Sequence, residues 1–175
     1  MISADTLKQI CPLARVERME PFVDPLALAM DEFGINTPKR QAAFLAQLAH
    51  ESGSFRYVKE LASGEAYEGR ADLGNTESGD GVRYKGRGLI QITGRSNYAA
   101  CGTDLGVNLL TNPELLELPN YACRSAAWFW DSRGLSLLAD ADDFIKITKR
   151  INGGVNGLAD RTAYWERAKD ALGVA

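Results

Sequence analysis

Apolar residues recur three and four positions apart through most of this chain, a spacing that predicts a mainly α-helical protein. The pattern is clearest after Thr37, where the apolar positions are Ala42, Phe44, Leu45, Leu48 and Ala49. Thr37 can cap a helix, Pro38 suits the first helical position, and Gly53 is a typical stop signal. His50 and Glu51 are therefore predicted to lie in the last turn of a largely buried helix.

The same spacing predicts further packing helices on both sides of this one. They cover residues 3–10, 13–19, 25–34, 113–118, 120–134, 142–151 and 158–173. Asp140 or Asp142 can cap the helix over 142–151, because a short polar side chain at that place accepts a backbone N–H. No repeat or linker divides the chain, so one domain over residues 1–175 is predicted, with two lobes around a polar, glycine-rich centre.

Two stretches depart from the helical pattern. Residues 61–83 are rich in Gly, Ser, Asp and Asn, which predicts a long loop that is either a lid or binding segment or a mobile surface excursion. Residues 84–98 contain a short predicted strand at Leu89, Ile90 and Ile92. At and after this strand stand three uncharged hydrogen-bonding residues, Gln91, Thr93 and Asn97. They suit the hydroxyl and acetamido groups of a sugar, or they tie down a turn.

Composition narrows the function classes. The chain has 175 residues and a net charge of −3, so nothing in its charge favours binding to nucleic acid. The three cysteines, Cys11, Cys101 and Cys123, are odd in number, which favours reduced thiols and a cytosolic setting. We expect synthesis in the cytoplasm without stable membrane association, because no signal-peptide or membrane-spanning run is present.

Carboxylate chemistry is the class that the residues favour. The one histidine does not begin an H-E-x-x-H zinc motif, because Ser54 stands at its fourth following position, and no phosphate loop or nucleophile elbow is present. A thiol enzyme that pairs His50 with a cysteine has no supporting local motif. Glu51 and Glu60 remain, nine residues apart, and the end of a buried helix favours the protonated carboxyl that a general acid needs. The alternatives are two solvated surface charges and a non-catalytic carbohydrate-binding module.

Several motifs in order resemble glycoside hydrolase family 19, the plant-type and bacterial chitinases, and more closely their short phage and prophage endolysin relatives. The segments are FLAQLAHESG with Glu60 beyond it, YKGRGLIQITGRSNY, SAAWFW, INGGVNG and ADR. They fall within residues 37–165, and the helical part over 1–36 carries no such motif. The resemblance implies a lysozyme-like fold with a small β-strand element at the cleft. It also implies inverting hydrolysis of β-1,4-linked N-acetylated sugars without a metal or cofactor.

The resemblance also implies roles for individual residues. Glu51 matches the family's general acid, Glu60 its general base, and Thr93 a hydroxyl residue that helps to hold the attacking water. His50 is expected to orient the acid, and Arg161 to support the carboxylates. The expected sugar-contacting residues are Tyr84, Gln91, Asn97 and Asn152. Two positions depart from the pattern: Ser96 stands where some members have an aromatic residue, and Asn156 where the plant enzymes have an acid.

The substrate expected from this comparison is the glycan of bacterial peptidoglycan, cut by an endolysin-type muramidase. Chitin is the second expectation. The enzyme is expected to be a monomer that reaches the cell wall through a membrane pore, as in phage lysis.

Overall fold

The structure, a computed structural model, describes residues 2–174 and is built around one buried helix. This helix, α4 (Pro38–Glu51), is buried without interruption from Ala42 to Ala49. The predicted cap is confirmed, because the Thr37 hydroxyl accepts the N–H of Arg40 at 3.3 Å and Pro38 takes the first helical position. Ser52 forms the C-cap, so the chain does turn at the predicted place.

Nine other α-helices surround α4 within the described residues. They are α1 (Ala4–Ile10), α2 (Val16–Met19), α3 (Val23–Glu32), α5 (Asp80–Arg83), α6 (Arg95–Leu105), α7 (Pro119–Ser132), α8 (Leu135–Asp140), α9 (Phe144–Asn152) and α10 (Leu158–Leu172). Short 3₁₀ turns cover Glu20–Phe22, Glu65–Tyr67, Ala71–Leu73 and Pro113–Glu117. The prediction of a mainly α fold is confirmed.

Local details differ from the predicted helices. The segment after Pro113 is a 3₁₀ turn, and the separate helices α6 and α8 were not predicted. The cap of α9 is Asp143, whose carboxylate accepts the N–H of Lys146 at 3.0 Å, and neither Asp140 nor Asp142 fills that place. Gly134, which ends the helix predicted over 120–134, has a left-handed backbone (φ 61°). In the structure it also caps the start of α8, immediately after α7 ends.

The predicted strand near Leu89 does not form. Between residues 2 and 174 the only β pairing consists of isolated bridges, from Arg87 to Ile92 and from Arg87 to Lys59. The intervening residues make a tight turn, in which Gln91 adopts a left-handed backbone with φ of 60°. This turn buries Leu89 and Ile90 together, whereas a strand would point them to opposite faces.

A single hydrophobic cluster connects the helices. It includes residues of α1, α3, α4, α6, α7, α8, α9 and α10, so the N-terminal helices share the core of the motif-bearing part. Helix α4 packs most extensively on α10, and α3 packs on α7. No helix within 2–174 combines the length and the apolar character that crossing a membrane requires.

The polar segment over 61–83 has a defined internal structure. The Glu68 carboxylate accepts the backbone N–H groups of Gly79 and Gly81 at 2.6 and 2.8 Å. The buried Asp80 receives two hydrogen bonds from the Arg95 guanidinium, at 2.7 and 2.8 Å, which hold the pKa of this carboxyl below its usual range. These contacts attach the segment to α6, so it is a folded part of the domain and not the loose excursion considered above.

Candidate active site

Glu51 ends α4 and lies against a buried cation. Its carboxylate is 22% exposed and sits 2.6 Å from Nη2 of Arg161, which is 1% exposed. Arg161 belongs to the first turns of α10, and the extensive packing of α10 on α4 brings the two side chains together. Arg161 was predicted to support the carboxylates, and in the structure it contacts Glu51 directly.

Arg161 has two further partners, both neutral. Its Nη1 donates to Oε1 of Gln47 at 2.5 Å, and its Nε donates to the carbonyl of Asn156 at 3.1 Å. The Gln47 amide in turn donates to the hydroxyl of Thr148 at 2.9 Å. Sequence analysis missed Gln47 and Thr148. The available signal was a polar side chain, one turn before Glu51, on a helix that is otherwise apolar from 42 to 49.

The guanidinium changes the electrostatics expected at Glu51. The helix C-terminus and partial burial both disfavour a negative charge there. A cation at 2.6 Å acts in the opposite direction, because it stabilises the carboxylate. The protonated acid expected from sequence reflects only the first two effects, since the position of Arg161 relative to Glu51 depends on helix packing.

His50 points toward the start of α10. Its Nδ1 lies 2.7 Å from Oδ2 of Asp160, the residue next to Arg161. The imidazole also covers Gly157, where an added Cβ would lie 2.3 Å from Cε1 and where φ is 71°. His50 thus fixes the start of α10 relative to the end of α4, an arrangement that fits the predicted orienting role.

The chain passes from Glu51 toward Glu60 through an unusual turn. Gly53, Ser54 and Phe55 all have positive φ values, of 58°, 58° and 62°. Such a backbone is strained for residues with a Cβ and needs compensating contacts. Phe55 is 2% exposed and packs on Phe22 at a ring-centroid distance of 5.7 Å, so its burial helps to hold the turn.

Glu60 is held by a different kind of contact. Its Oε1 accepts the hydroxyl of Tyr67 at 2.9 Å, and its Oε2 accepts the N–H of Gly86 at 3.0 Å. Both contacts use the carboxylate as an acceptor, as suits an ionised group. Burial and the bond to Glu60 raise the pKa of Tyr67, which keeps its hydroxyl a donor. Tyr67 was also missed from sequence, and its only signal was an aromatic residue in a polar segment.

Gln91 lies beside Glu60, and Thr93 and Asn97 follow it in the same hydrogen-bonded turn. A Cβ on Gly86 would lie 2.7 Å from Oε1 of Gln91 and 3.2 Å from the Glu60 carboxylate, so these two side chains border the same glycine. Gln91 donates to the carbonyl of Gly88, Thr93 to that of Gln91, and Asn97 to that of Thr93, at 2.7–2.9 Å. The three residues therefore do tie down the turn. The Thr93 hydroxyl keeps its lone pairs available to a water molecule.

Asn152 joins the Glu51 group through a shared carbonyl. Its side-chain amide lies 3.4 Å from the Asn156 carbonyl, which also accepts from Arg161. Tyr84 requires a correction, because it is 2% exposed and its hydroxyl donates to the Leu110 carbonyl at 3.1 Å. A buried, paired tyrosine of this kind packs the fold and does not contact a sugar chain.

Ser96, one of the two positions that depart from the family pattern, is exposed at the start of α6, and its Oγ lies against Gly74. The site residues thus form two groups. One is built from α4, α10 and the connection before α10. The other is built from residues 60–97.

Comparisons with known proteins identify relatives of this chain. A family model described as chitinase class I matches residues 29–136. The chain is 32% identical to a "Glycosyl hydrolase family 19 domain-containing protein" of Haemophilus influenzae, covering 92% of each chain. It is 38% identical to endochitinase At2g43620 of Arabidopsis thaliana over 82% of this chain, and it spans half of that relative's length. The structure of chitinase C from Streptomyces griseus matches with a TM-score of 0.78 at 27% identity, covering 98% of this chain and 76% of that one.

Proposed function

The chain belongs to glycoside hydrolase family 19, and from this membership we propose an inverting hydrolysis of the β-1,4-linked glycan of bacterial peptidoglycan, with Glu51 as general acid and Glu60 as general base. The observation that carries the proposal is the contrast between the two carboxylates. Glu51 adjoins a cation, whereas Glu60 accepts hydrogen bonds from a phenol and a backbone amide. Two carboxylates in different environments are the usual arrangement of a glycosidase.

The reaction follows from these positions. Protonated Glu51 transfers its proton to the glycosidic oxygen while the bond from that oxygen to the anomeric carbon breaks. A water molecule attacks the anomeric carbon from the opposite face, and Glu60 accepts its proton. Thr93, whose hydroxyl donates to the carbonyl of Gln91, helps to hold this water through the lone pairs of that hydroxyl. An inverting pair needs a carboxyl separation of roughly 6.5–9.5 Å to hold the water. Exchange of protons with solvent returns both residues to their starting states.

Arg161 serves the transition state in this scheme. When Glu51 gives up its proton, a negative charge develops on its carboxylate, 2.6 Å from the guanidinium. An interaction that strengthens as the charge develops lowers the barrier more than it stabilises the starting state. The same contact disfavours protonation of Glu51 before the reaction. Arg161 therefore has two opposing effects: it opposes the uptake of the proton, and it stabilises the charge that appears when the proton is transferred.

The choice of peptidoglycan rests on the short segments next to the expected sugar-contacting residues. Its glycan differs from chitin by a lactyl ether and peptide on alternate sugars, which require room beside the chain. Gln91 lies in the short segment 84–94 between α5 and α6, and Asn152 ends α9 just before the five residues 153–157 that lead to α10. Short segments leave space for such substituents.

Chitin is the second candidate substrate. The names of the relatives favour it, because the Arabidopsis and Streptomyces proteins are an endochitinase and a chitinase. The scissile bond joins N-acetylated sugars through a β-1,4 linkage in both polymers, so Glu51 and Glu60 keep the same roles with either one.

A parallel assay separates the two substrates. Purified protein is incubated with peptidoglycan sacculi and with N-acetylglucosamine hexamers, and products are identified by mass spectrometry, with Glu51→Gln prepared in the same way as the control. We expect muropeptides with free reducing ends from sacculi and slower cleavage of the hexamer. Efficient cleavage of the hexamer with intact sacculi would establish the chitinase alternative. Proton NMR of fresh products should show the α-anomer first, and an initial β-anomer would contradict inversion.

A further inference from the structure

A continuous row of buried polar side chains lies behind Glu51. It runs from Thr148 on α9 to Gln47 on α4, then to Arg161 on α10, and ends at the Glu51 carboxylate. Thr148 and Gln47 are fully buried, and Arg161 is 1% exposed. Polar side chains in such a place are costly unless every one has a partner, and within residues 2–174 no buried side-chain nitrogen or oxygen lacks one.

The orientation of the Gln47 amide follows from its neighbours. A guanidinium has only donors, so the atom of Gln47 at 2.5 Å from Arg161 has to be the oxygen. The amide nitrogen then faces Thr148, whose hydroxyl accepts at 2.9 Å. A glutamine meets both requirements without adding charge, since it accepts at one end and donates at the other.

The neutrality of this residue has an electrostatic consequence. Among the described residues, Glu51 is the one carboxylate in contact with Arg161, whose other partners are the Gln47 amide and a backbone carbonyl. Two other ionisable side chains at this end of α4, His50 and Asp160, contact each other at 2.7 Å. Glu60 belongs to the other group of the site and contacts Tyr67.

We propose that Gln47, held by Thr148, is a positioning residue that directs Arg161 at Glu51 and, by staying neutral, keeps Glu51 as the only carboxylate that the guanidinium contacts. The inference rests on the proposed acid role of Glu51. It gives Gln47 a function beyond filling the core, because the residue at this position sets how strongly the guanidinium opposes proton uptake by the acid.

Two substitutions at Gln47 separate charge from packing. Gln47→Glu supplies a second carboxylate to Arg161, which weakens its hold on ionised Glu51 and eases protonation. We expect the alkaline limb of the kcat–pH profile to move upward by about one pH unit. Gln47→Leu removes the acceptor without adding charge and leaves Arg161 less well directed. We expect kcat to fall by about 10- to 100-fold, with little change in KM and no upward movement of the limb.

Thr148 supplies a milder test at a distance from the cleft. Thr148→Val keeps the shape but removes the hydroxyl that fixes the Gln47 amide, so kcat should fall by a smaller factor than in Gln47→Leu. Thr148→Ser should restore most of it. Ser136→Ala is the matched control, because Ser136 accepts the indole N–H of buried Trp130 at 3.0 Å and does not touch the row. It should lower the melting temperature while kcat stays near the wild-type value.

The assays use whichever glycan the wild-type protein cleaves, and folding of each variant is checked by circular dichroism. The proposal is supported if the alkaline limb of the kcat–pH profile moves to higher pH in Gln47→Glu and kcat falls in Gln47→Leu. Wild-type kcat and pH limbs in both folded variants would overturn it and leave Gln47 a packing residue. If either glutamine variant does not fold, Thr148→Val decides, because kcat equal to wild type there also contradicts the proposal. An active Glu51→Gln protein would instead remove the acid role itself, which is a separate failure.

Discussion

Glu51 and Glu60 are nine residues apart in sequence, yet they are held by different kinds of structure. Glu51 ends a buried helix, and its partner Arg161 comes from another helix more than 100 residues away. Glu60 stands where irregular segments meet, and its partners are the Tyr67 hydroxyl and the Gly86 N–H. A cation adjoins the first carboxylate, and neutral donors hold the second as an acceptor. Helix packing thus supplies charge at one carboxylate, and local segments supply dipoles at the other.

The strongest test of this contrast is loss of each carboxylate in turn. Glu51→Gln keeps the shape but cannot deliver a proton, so kcat should fall by about 10²- to 10⁴-fold while substrate still binds. Glu60→Gln should be similarly damaging, because the water is no longer deprotonated. Azide, a small anion that needs no deprotonation, should partly restore turnover in Glu60→Gln and not in Glu51→Gln.

Steady-state kinetics with binding measured by titration calorimetry checks this result. Asp31→Asn, which alters an exposed carboxylate on α3 outside the site, is the control and should keep wild-type kcat. Near-normal turnover by folded Glu51→Gln would contradict the mechanism.

The two regions also differ in how far they could be predicted. The end of α4 and the place of Glu51 followed from Thr37, Pro38 and the apolar spacing, which are local signals. Its partners could not be predicted from pattern alone, because Gln47 meets Thr148 and Arg161 only through the packing of α9 and α10 on α4. The resemblance identified Arg161 as a supporting residue but did not specify these contacts.

Around Glu60 local signals were less informative. The apolar run at Leu89 and Ile90 predicted a strand, but the positive φ of Gln91 turns the chain before a ladder can form. Tyr84 was expected at the sugar and is buried, whereas Tyr67 contacts the carboxylate and was overlooked. The fold of an irregular segment depends on such specific contacts, for which hydrophobic periodicity carries no signal.

Tyr67→Phe tests the Glu60 region with a smaller effect. The change removes a hydrogen bond of 2.9 Å to the base, and hydrogen bonds to charged groups contribute about 1.5–3 kcal/mol. We expect kcat to fall about tenfold or somewhat more. Tyr121→Phe, on α7, is the matched control. Wild-type kcat in folded Tyr67→Phe would show that this bond does not hold the base in place.

Asp80 makes the stability of the segment over 61–83 sensitive to acid. Hydrogen bonds from Arg95 hold the pKa of Asp80 below its unfolded value, so this stabilisation is complete well above about pH 4 and is lost as pH falls through the folded value. Asp80→Asn should lower the melting temperature at pH 7 by about 2–4 °C. The difference from wild type should shrink on acidification. Calorimetric scans between pH 2.5 and pH 7 check this, and a constant difference across that range would contradict the assigned role.

The smallest expected effect comes from modifying the thiols, which are free and buried in both regions. Cys11 packs near α10 on the Glu51 side, and burial raises its pKa to about 11. Burial raises the pKa of Cys101, on α6, to about 12, and it also raises the pKa of Cys123. Alkylation requires a thiolate, so iodoacetamide at pH 7.5 should leave activity and mass unchanged over an hour.

The same reagent in urea should add to all three thiols, which shows that protection comes from the fold. Neither carboxylate contacts a sulfur atom in the described contacts, so activity should not depend on any thiol. Rapid inactivation of folded protein with a single adduct on Cys11 or Cys101 would break this expectation. The adduct's position would then show which of the two regions opens to solvent, because a buried thiol reacts only when its surrounding helices separate.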